Sequence, residues 1–421
     1  MTDQVQAHTS CGTLVGSRDG GVCRFSAIPY AAAPVGALRW APPQPARWTG
    51  TLDARAAGPI PPQRPSRLRV AMGDIVARQS EDCLHLTVWT PAPDAMRRPV
   101  VVWLHGGAWQ SGAGALPWYD GAHLAALGDV VVVAVNYRLA AMGWLHVPGE
   151  TTNVGLLDQE AAVAWVRAHI DSFGGDPSRL TLMGQSAGAS NIVCMLARAP
   201  LFERAILQSA ALGRGPRDAA IAKQLGHTML AAAGVDNLDQ ARALSVEAVL
   251  QLQEHPAVLK ALQQEGEGRS LFGLTADGAI VPADWDAACA SARARADVLI
   301  GSTEHEMRAF QLPDEVRSAS ETERIFGAPA RQWALHAAEA GRQAWLYCFA
   351  HAPNVRFGAC HCIELPFVFD TVEAFAGAAM LDGLREQDAR RLTREMQGAW
   401  LAFIRGEAPG WHAGAEARRF A

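Results

Sequence analysis

The most constraining feature of the sequence is a glycine-serine turn between two apolar segments. Residues 180–183 (LTLM) have the pattern of a short buried strand, and the motif GQSAG follows directly at residues 184–188. An apolar pattern with helical spacing then continues through Leu196. A strand that turns sharply into a helix needs small residues around the bend, because larger side chains would clash there. The sequence therefore predicts a strand, a tight turn and a helix, with Ser186 exposed at the turn.

Other apolar segments are spaced like the strands of a larger sheet. Residues 99–104 and 130–135 are nearly continuous in apolar residues, as strands buried on both faces are. Further strand candidates lie at residues 83–90, 204–207, 297–300 and 345–349. Helical patterns occupy residues 156–170 and about 386–404. This alternation predicts an α/β fold with a central, mostly parallel twisted sheet flanked by helices.

The domain organisation follows from the absence of any linker-like segment. We interpret residues 1–421 as a single α/β domain, because one large sheet with excursions between its strands can absorb this length. A mostly helical stretch at about 217–296 is rich in Ala, Leu and Gln. We expect it to be an excursion that lies over the carboxyl edge of the sheet, where an active site would be.

Composition and charge exclude several function classes. With 37 Lys and Arg against 42 Asp and Glu, the chain lacks the basic field that nucleic-acid-binding proteins use. It has no run of about 18 apolar residues and no signal-peptide pattern at its start, so we expect neither a membrane span nor export. Eight unevenly spaced cysteines favour a reducing, cytoplasmic location. The pair Cys360 and Cys362 lacks the further ligands of a closed zinc site, so no metal is expected.

A glycine-rich turn follows the strand at residues 99–104. Its sequence is HGGAW, at residues 105–109, and it resembles the oxyanion loop of esterases and lipases. Glycines in such a loop let backbone N–H groups point toward a developing oxyanion. We predict an oxyanion hole formed by the N–H groups of Gly106, Gly107 and Ala187. A purely structural turn after a buried strand is the alternative, and the serine turn downstream favours the hole.

Motifs along nearly the whole chain resemble the type-B carboxylesterase family, which also contains the cholinesterases. The longest is EDCLHLTVWTP at residues 81–91. Others lie at residues 25–30, 34–36, 38–40, 136–139, 155–159, 173–177, 186–189 and 204–209. The resemblance implies an α/β-hydrolase fold and a serine carboxylesterase that acts on small-molecule esters, with Ser186 as the nucleophile.

The same resemblance implies the acid and the base. Residues 301–306 (GSTEHE) are similar to the family's acid loop, in which the glutamate stands five positions after the glycine. Glu306 is therefore the expected acid, and Glu304 is the alternative. The segment GACH, followed two residues later by ELPF, resembles the family's histidine loop and marks His361 as the base. The order Ser, Glu, His along the chain is the order that this fold uses.

These residues predict a serine-hydrolase mechanism that needs no cofactor. His361 would accept the proton of Ser186 during attack on an ester carbonyl, and Glu306 would orient the imidazole. Hydrolysis of an amide or a carbamate by the same residues is an alternative, provided that the leaving amine is protonated. A non-catalytic binding protein on the same fold is a further alternative, and the presence of all three residues favours the enzyme.

Two positions depart from the family in ways that bear on function. Ile60 stands where secreted members have a cysteine that pairs with the position of Cys83, so that disulfide cannot form here. Gln185, a candidate substrate-binding residue, stands where many members have an acidic residue, and the missing negative charge disfavours a choline ester as substrate.

The chain is also shorter than is usual in the family, which affects the expected pocket. Part of the shortfall lies between Glu306 and His361, where helices normally cover the site, so we expect a reduced cap and a more open or differently lidded pocket. Trp109, with Trp103 and Trp144, is a candidate for lining that pocket, although packing in the core is the default for tryptophans beside buried strands.

Overall fold

Alternating strands and helices make up the structure, a computed structural model that describes residues 3–198, 201–265, 270–312 and 314–421. The strands are β1 (Asp3–Thr9), β2 (Gly12–Asp19), β3 (Val22–Pro29), β4 (Thr51–Asp53), β5 (His85–Thr90), β6 (Arg98–Leu104), β7 (Val131–Val135), β8 (Gly175–Gln185), β9 (Arg204–Gln208), β10 (Arg217–Asp218), β11 (Thr275–Ala276), β12 (Asp297–Thr303), β13 (Ala344–Phe349) and β14 (Gly414–Phe420). The helices are α1 (Arg69–Met72), α2 (Ala122–Gly128), α3 (Ala140–Trp144), α4 (Val154–His169), α5 (Ala187–Arg198), α6 (Ala219–Ala232), α7 (Leu238–Ala243), α8 (Val246–Gln251), α9 (Pro256–Gln263), α10 (Trp285–Arg293), α11 (Glu315–Thr322), α12 (Ala328–Ala337), α13 (Leu365–Phe369) and α14 (Glu386–Arg405).

A large mixed sheet forms the centre of the molecule. Its strand order is β1-β2-β3-β5-β7-β6-β8-β9-β12-β13-β14, with β4 beside β2. Neighbours from β7 through β14 pair in parallel, whereas β1, β2, β3, β5 and β7 pair antiparallel in that order. Every residue of β6 and β7 is buried, as their apolar sequences require. The predicted α/β-hydrolase fold, with a central, mostly parallel sheet flanked by helices, is confirmed.

The parallel half of the sheet brings the predicted site residues to one edge. The strands β6, β8, β12 and β13 run in the same direction, so their carboxyl ends lie along the same side of the sheet. The oxyanion loop follows β6, Ser186 follows β8 and Glu306 lies three residues after the end of β12. His361 lies in the loop after β13. Strand direction thus gathers side chains from distant parts of the sequence.

Strands β8 and β14 differ from the sequence-based expectations. Strand β8 begins at Gly175 rather than at residue 180, because Gly175 already pairs with Arg98 of β6. Strand β14 was not predicted. Most of its residues are exposed, and β13 is its neighbour at the edge of the sheet. A charged sequence such as GAEARRF has no apolar periodicity to signal such a strand.

The stretch of about 217–296 carries helices α6 to α10, in agreement with its helical pattern. It also contains the short strands β10 and β11, which pair in parallel with each other. Residues 266–269 of the predicted excursion lie outside the described residues. None of the described helices is both long and apolar enough to cross a membrane.

A buried ion pair connects helix α4 to the chain after β7. The guanidinium of Arg138 donates to the two carboxylate oxygens of Asp158 at 2.8 and 2.7 Å, and both side chains are buried. Arg138 also donates to the main-chain oxygen of Ala41. Removing either charged partner would leave the other buried without compensation, so this pair holds its elements in a fixed arrangement.

A second buried carboxyl group, that of Glu364, lies next to helix α13. The side chain of Gln208 donates to one of its oxygens at 3.2 Å, while its other oxygen has no hydrogen-bond partner among the described residues. Burial, together with the nearby carboxylate of Glu306, raises the pKa of Glu364 to about 7. The carboxyl group therefore binds a proton more tightly in the folded protein than in the unfolded chain.

Replacement Glu364→Gln is expected to reduce the pH dependence of stability. The folded protein keeps this proton up to about pH 7, whereas an unfolded glutamate loses it near pH ~4.3. The group therefore stabilises the wild type at low pH, and this stability disappears as the pH rises through 7. Between pH 4 and 8 the wild type should lose on the order of 3 kcal/mol more than the variant. Urea denaturation across this range measures it, and parallel curves for both proteins would contradict the expectation.

Candidate active site

Ser186 occupies a strained turn between β8 and α5. Its φ of 54° lies in the left-handed region, which non-glycine residues rarely adopt. The backbone N–H of Ser186 donates to the main-chain oxygen of Gln208 at 2.8 Å. A Cβ atom on Gly188 would lie 2.0 Å from the main-chain oxygen of Leu104, and one on Gly184 would lie 2.8 Å from the backbone of Gly188. The glycines of the motif are therefore required by close packing, and Ser186 lies half-buried at the sheet edge.

His361 and Glu306 form a buried pair at the same edge. Nδ1 of His361 hydrogen-bonds to Oε2 of Glu306, and Oε1 of Glu306 accepts the backbone N–H of Thr303 at 2.8 Å. Both side chains are almost completely inaccessible to solvent. The ring centres of Phe310 and Phe326 lie 5.5 and 5.3 Å from the centre of the imidazole ring of His361. Because the carboxylate accepts from Nδ1, the neutral imidazole has its lone pair on Nε2.

Glu304, the alternative acid, points elsewhere. Its carboxylate accepts a hydrogen bond from Arg419 of β14 at 2.6 Å and is partly exposed. The two glutamates are separated by a single residue, yet they reach opposite surroundings after β12 ends. The structure brings Glu306, and not Glu304, into contact with His361.

Gln185 lies on the Nε2 side of the imidazole of His361, next to the turn that carries Ser186. Its amide nitrogen lies 3.1 Å from Nε2 of His361, and its side chain is buried. The amide N–H therefore donates to the lone pair of Nε2. Among the described residues, the hydroxyl of Ser186 makes no hydrogen bond with His361, although both side chains line one pocket.

The oxyanion loop lies directly against the serine turn. A Cβ atom on Gly106 would lie 3.1 Å from Cβ of Ser186, and Gly107 has a φ of 117°, where a Cβ would lie 1.9 Å from the main-chain oxygen of Ser111. The N–H groups of Gly106 and Gly107 donate to no other described residue. Ala187 is the first residue of α5, so its N–H has no acceptor within the helix. The three predicted donors are thus backbone N–H groups without an acceptor in the described structure.

His105 holds the oxyanion loop in place, a role that the sequence did not reveal. Its ring stacks on Tyr137 with ring centres 4.4 Å apart, and its Nδ1 donates to the main-chain oxygen of Gly106 at 2.7 Å. The hydroxyl of Tyr137 donates to the main-chain oxygen of His105 at 2.7 Å. Burial lowers the pKa of His105 to about 4, so the ring is neutral near neutral pH. The only available sequence signal was its place at the start of the glycine-rich motif.

The pocket beside Ser186 and His361 is narrow, with a volume of about 50 Å³. Its walls include residues 64–68, Gln253 from the helical excursion and Phe310. The expected reduced cap, with a more open or differently lidded pocket, stays a prediction. A wider groove of about 870 Å³ lies elsewhere on the molecule and contains none of the predicted site residues.

The tryptophans predicted as candidates for the pocket lie outside its lining. Trp103 and Trp144 are buried in the core. The indole N–H of Trp109 donates to the side chain of Asn191 at 2.9 Å, and its ring packs edge-on against Trp144. Substrate binding by Trp109 stays a prediction.

Metal-ligating side chains are not clustered in the described residues. Among them, no group of three or more His, Cys, Asp or Glu side chains is arranged to hold a metal ion. Cys360 and Cys362, on either side of His361, are buried free thiols. Burial raises the pKa of both thiols, which disfavours the thiolate form that metals bind. Cys83 is likewise a free thiol. Its disulfide partner in secreted family members is replaced here by Ile60.

Known proteins resemble this chain over nearly its whole length. The para-nitrobenzyl esterase of Bacillus subtilis (strain 168) is 33% identical over 459 residues, which cover 98% of this chain and 92% of that protein. A Rhodococcus erythropolis protein described as "Probable N-octanoylanthranilate hydrolase AqdA2" is 36% identical over 95% of this chain and 93% of its own length. Among solved structures, a PNB esterase superposes with a TM-score of 0.85 at 32% identity, covering 96% of this chain and 91% of that one.

The family comparison covers most of the chain. The model of the carboxylesterase family matches residues 3–324, which include the serine turn, the oxyanion loop and Glu306. The relatives extend the similarity over the histidine loop to nearly the full length. The chain therefore belongs to the carboxylesterase family and is a carboxylic ester hydrolase.

Proposed function

We propose that the chain hydrolyses small-molecule carboxylic esters through an acyl-enzyme, with Ser186 as nucleophile, His361 as general base and acid, and Glu306 as the orienting carboxylate. The observation that carries the proposal is the buried hydrogen bond between Glu306 and Nδ1 of His361, at the pocket that also contains Ser186. This bond puts the lone pair of the neutral imidazole on Nε2, the atom that has to accept the proton of the serine hydroxyl.

The first step transfers the hydroxyl proton of Ser186 to Nε2 of His361 while the serine oxygen bonds to the ester carbonyl carbon. Catalytic hydrogen bonds are often loose in the free enzyme and tighten when substrate binds. Here Ser186 must displace the amide N–H of Gln185 from Nε2, or share that atom with it. Before the substrate binds, the hydrogen bond from Gln185 to Nε2 helps to hold the imidazole of His361 in its orientation. A direct contact of Gln185 with substrate stays a prediction.

The negative charge that develops on the carbonyl oxygen is stabilised by the N–H groups of Gly106, Gly107 and Ala187. Collapse of this intermediate breaks the bond to the alcohol, and the leaving alkoxide takes the proton from Nε2 of His361. Water then attacks the acyl-serine and gives a proton to the same nitrogen. When the bond between the acyl carbon and the serine oxygen breaks, Nε2 returns that proton to Ser186, and the acid is released. Every proton donor and acceptor in these reaction steps belongs to the protein, to the substrate or to water.

Amide hydrolysis is the second candidate, supported by the name of the Rhodococcus relative, a hydrolase of an N-octanoyl compound. It would use the same residues, with His361 protonating the leaving nitrogen. Carbamate hydrolysis follows the same logic. Matched ester and anilide substrates with one acyl group separate the candidates: a larger kcat/KM on the anilide would make amide hydrolysis the principal activity.

The setting of the enzyme is part of the proposal. We propose that residues 1–421 form one α/β-hydrolase domain. The large sheet supports this, because its two edge strands, β1 and β14, lie near opposite ends of the chain. The excursion of about 217–296 contributes Gln253 to the pocket, which supports its placement over the active-site edge. Eight free thiols support a reducing, cytoplasmic location.

Replacement Ser186→Ala should abolish hydrolysis of p-nitrophenyl acetate, butyrate and octanoate. The wild type and the variant are assayed side by side near neutral pH. Loss of the nucleophile is expected to lower kcat by about 10⁴-fold or more, as for other serine hydrolases. Circular dichroism checks that the variant is folded. Equal activity in the two proteins would remove Ser186 from the mechanism.

The two glutamates after β12 are expected to respond differently to the same change. Glu306→Gln removes the acceptor that fixes the tautomer of His361 and should lower kcat by roughly 10³- to 10⁴-fold. Glu304→Gln breaks a partly exposed ion pair with Arg419 and should change kcat less than about threefold. Steady-state kinetics on p-nitrophenyl butyrate compare them. A large loss in Glu304→Gln alone would transfer the acid role to Glu304.

A further inference from the structure

Arg67 lines the same pocket as Ser186 and His361. Its guanidinium carbon lies 5.9 Å from the ring centre of Phe310, and that ring lies 5.5 Å from the imidazole of His361. Arg67 retains solvent exposure, so it forms the outer part of the pocket wall. A chain of two ring contacts therefore connects a cationic group at the pocket to the proposed general base.

This arginine has no acceptor for its N–H groups in the described part of the chain. Neither a hydrogen bond nor an ion pair to a described residue involves Arg67, whereas Arg64, three residues earlier, binds Glu254 at 2.8 Å and Glu247 at 3.7 Å. Surrounding protein atoms lower the pKa of Arg67 by desolvation, and no neighbouring carboxylate opposes this effect. In the free protein, water satisfies its donors, and that water can be displaced by a ligand.

The charge of the pocket favours an anion. Its lining contains the two arginines, Arg64 and Arg67, and no carboxylate. Gln185, immediately before the nucleophile, is neutral. The carboxylate of Glu306 is held by His361 and the backbone of Thr303, and it lies outside the lining. A negatively charged group that enters this pocket therefore meets one cation with free donors and no repelling carboxylate on its walls.

We propose that Arg67 binds a carboxylate group on the ester substrate, so that the enzyme prefers anionic esters to neutral esters of the same size. The planar guanidinium can make two parallel N–H···O bonds to a carboxylate, and its contact with the ring of Phe310 uses no acceptor that would compete for its N–H groups. The inference rests on the proposed ester hydrolysis, and it names the substrate class of that site. Arg67 is a specificity-determining residue that takes no part in the proton transfers.

Two isosteric substrate pairs test the proposal and distinguish the side of the ester that carries the charge. In the first pair, para-acetoxybenzoate has a carboxylate on the alcohol part, and para-acetoxybenzamide is its neutral match. In the second pair, the mono-p-nitrophenyl ester of adipic acid has a carboxylate on the acyl part, and the corresponding ester of adipic acid monoamide is neutral. The quantity measured is the ratio of kcat/KM for the anionic ester to that for the neutral ester.

Arg67→Gln should lower this ratio by about tenfold in at least one pair, the size expected for a partly exposed charge-assisted hydrogen bond. Arg67→Lys should keep part of the preference, because it keeps the charge but not the planar fork. Arg69→Gln is the matched control: Arg69 is an exposed arginine of α1 outside the pocket lining, so its loss should change the ratio less than about twofold. Added salt should weaken the preference in the wild type more than in Arg67→Gln.

The outcomes distinguish a failure of the proposed role of Arg67 from a failure of the proposed ester hydrolysis. If Arg67→Gln leaves both ratios within about twofold of the wild type, while the neutral esters are cleaved in a Ser186-dependent reaction, the role of Arg67 is overturned and the proposed function stands. An equal loss of the ratio in Arg69→Gln would likewise overturn it, because long-range charge rather than a binding contact would then explain the preference. If the folded wild type cleaves none of the four esters, the proposed function and the inference fail together.

Discussion

The left-handed backbone of Ser186 is the constraint on which the arrangement of the site depends. A φ of 54° is tolerated because β8 and α5 pack on both sides of the turn and Gly188 comes close to the main-chain oxygen of Leu104. Leu104 ends β6, and the oxyanion loop begins at the next residue. The close approach that makes room for the turn therefore also sets Gly106 against Cβ of Ser186. One steric requirement therefore places Ser186 next to Gly106, one of the three proposed oxyanion donors.

Buried polar contacts orient the remaining site residues. Glu306 has no exposure to water, and its two oxygens are satisfied by Thr303 and His361. Hydrogen bonds in such a low-dielectric environment are strong, and an unsatisfied charge there would be costly. Burial, together with nearby Glu306, raises the pKa of Glu364 to about 7. The carboxyl group of Glu364 therefore keeps its proton at lower pH beside the group that hydrogen-bonds to His361.

Sequence patterns predicted the sheet well where both faces are buried and poorly at its margins. The strands β6 and β7 are continuous apolar runs, and the structure buries every residue of both. Strand β14 was not predicted because most of its side chains are exposed at the sheet edge, where backbone pairing with β13 holds it and Phe420 is its one buried residue. Strand β8 starts before its apolar segment for the same reason, since backbone pairing of Gly175 requires no apolar side chain. The spacing of apolar residues indicates which side chains are buried. It does not indicate where the backbone pairs without apolar side chains.

The sequence by itself determined the family, the order of the elements and the turn that carries Ser186, because these depend on local sterics and on apolar patterns. Tertiary structure decided which of two glutamates meets His361, since the direction of a side chain after a strand end depends on the turn and on the neighbouring chain. It also decided that Gln185 contacts the imidazole and that Arg67 shares the pocket of Ser186. The contacts of His361 join segments that lie 55 and 176 residues apart in the sequence, and no local pattern encodes the distance between them.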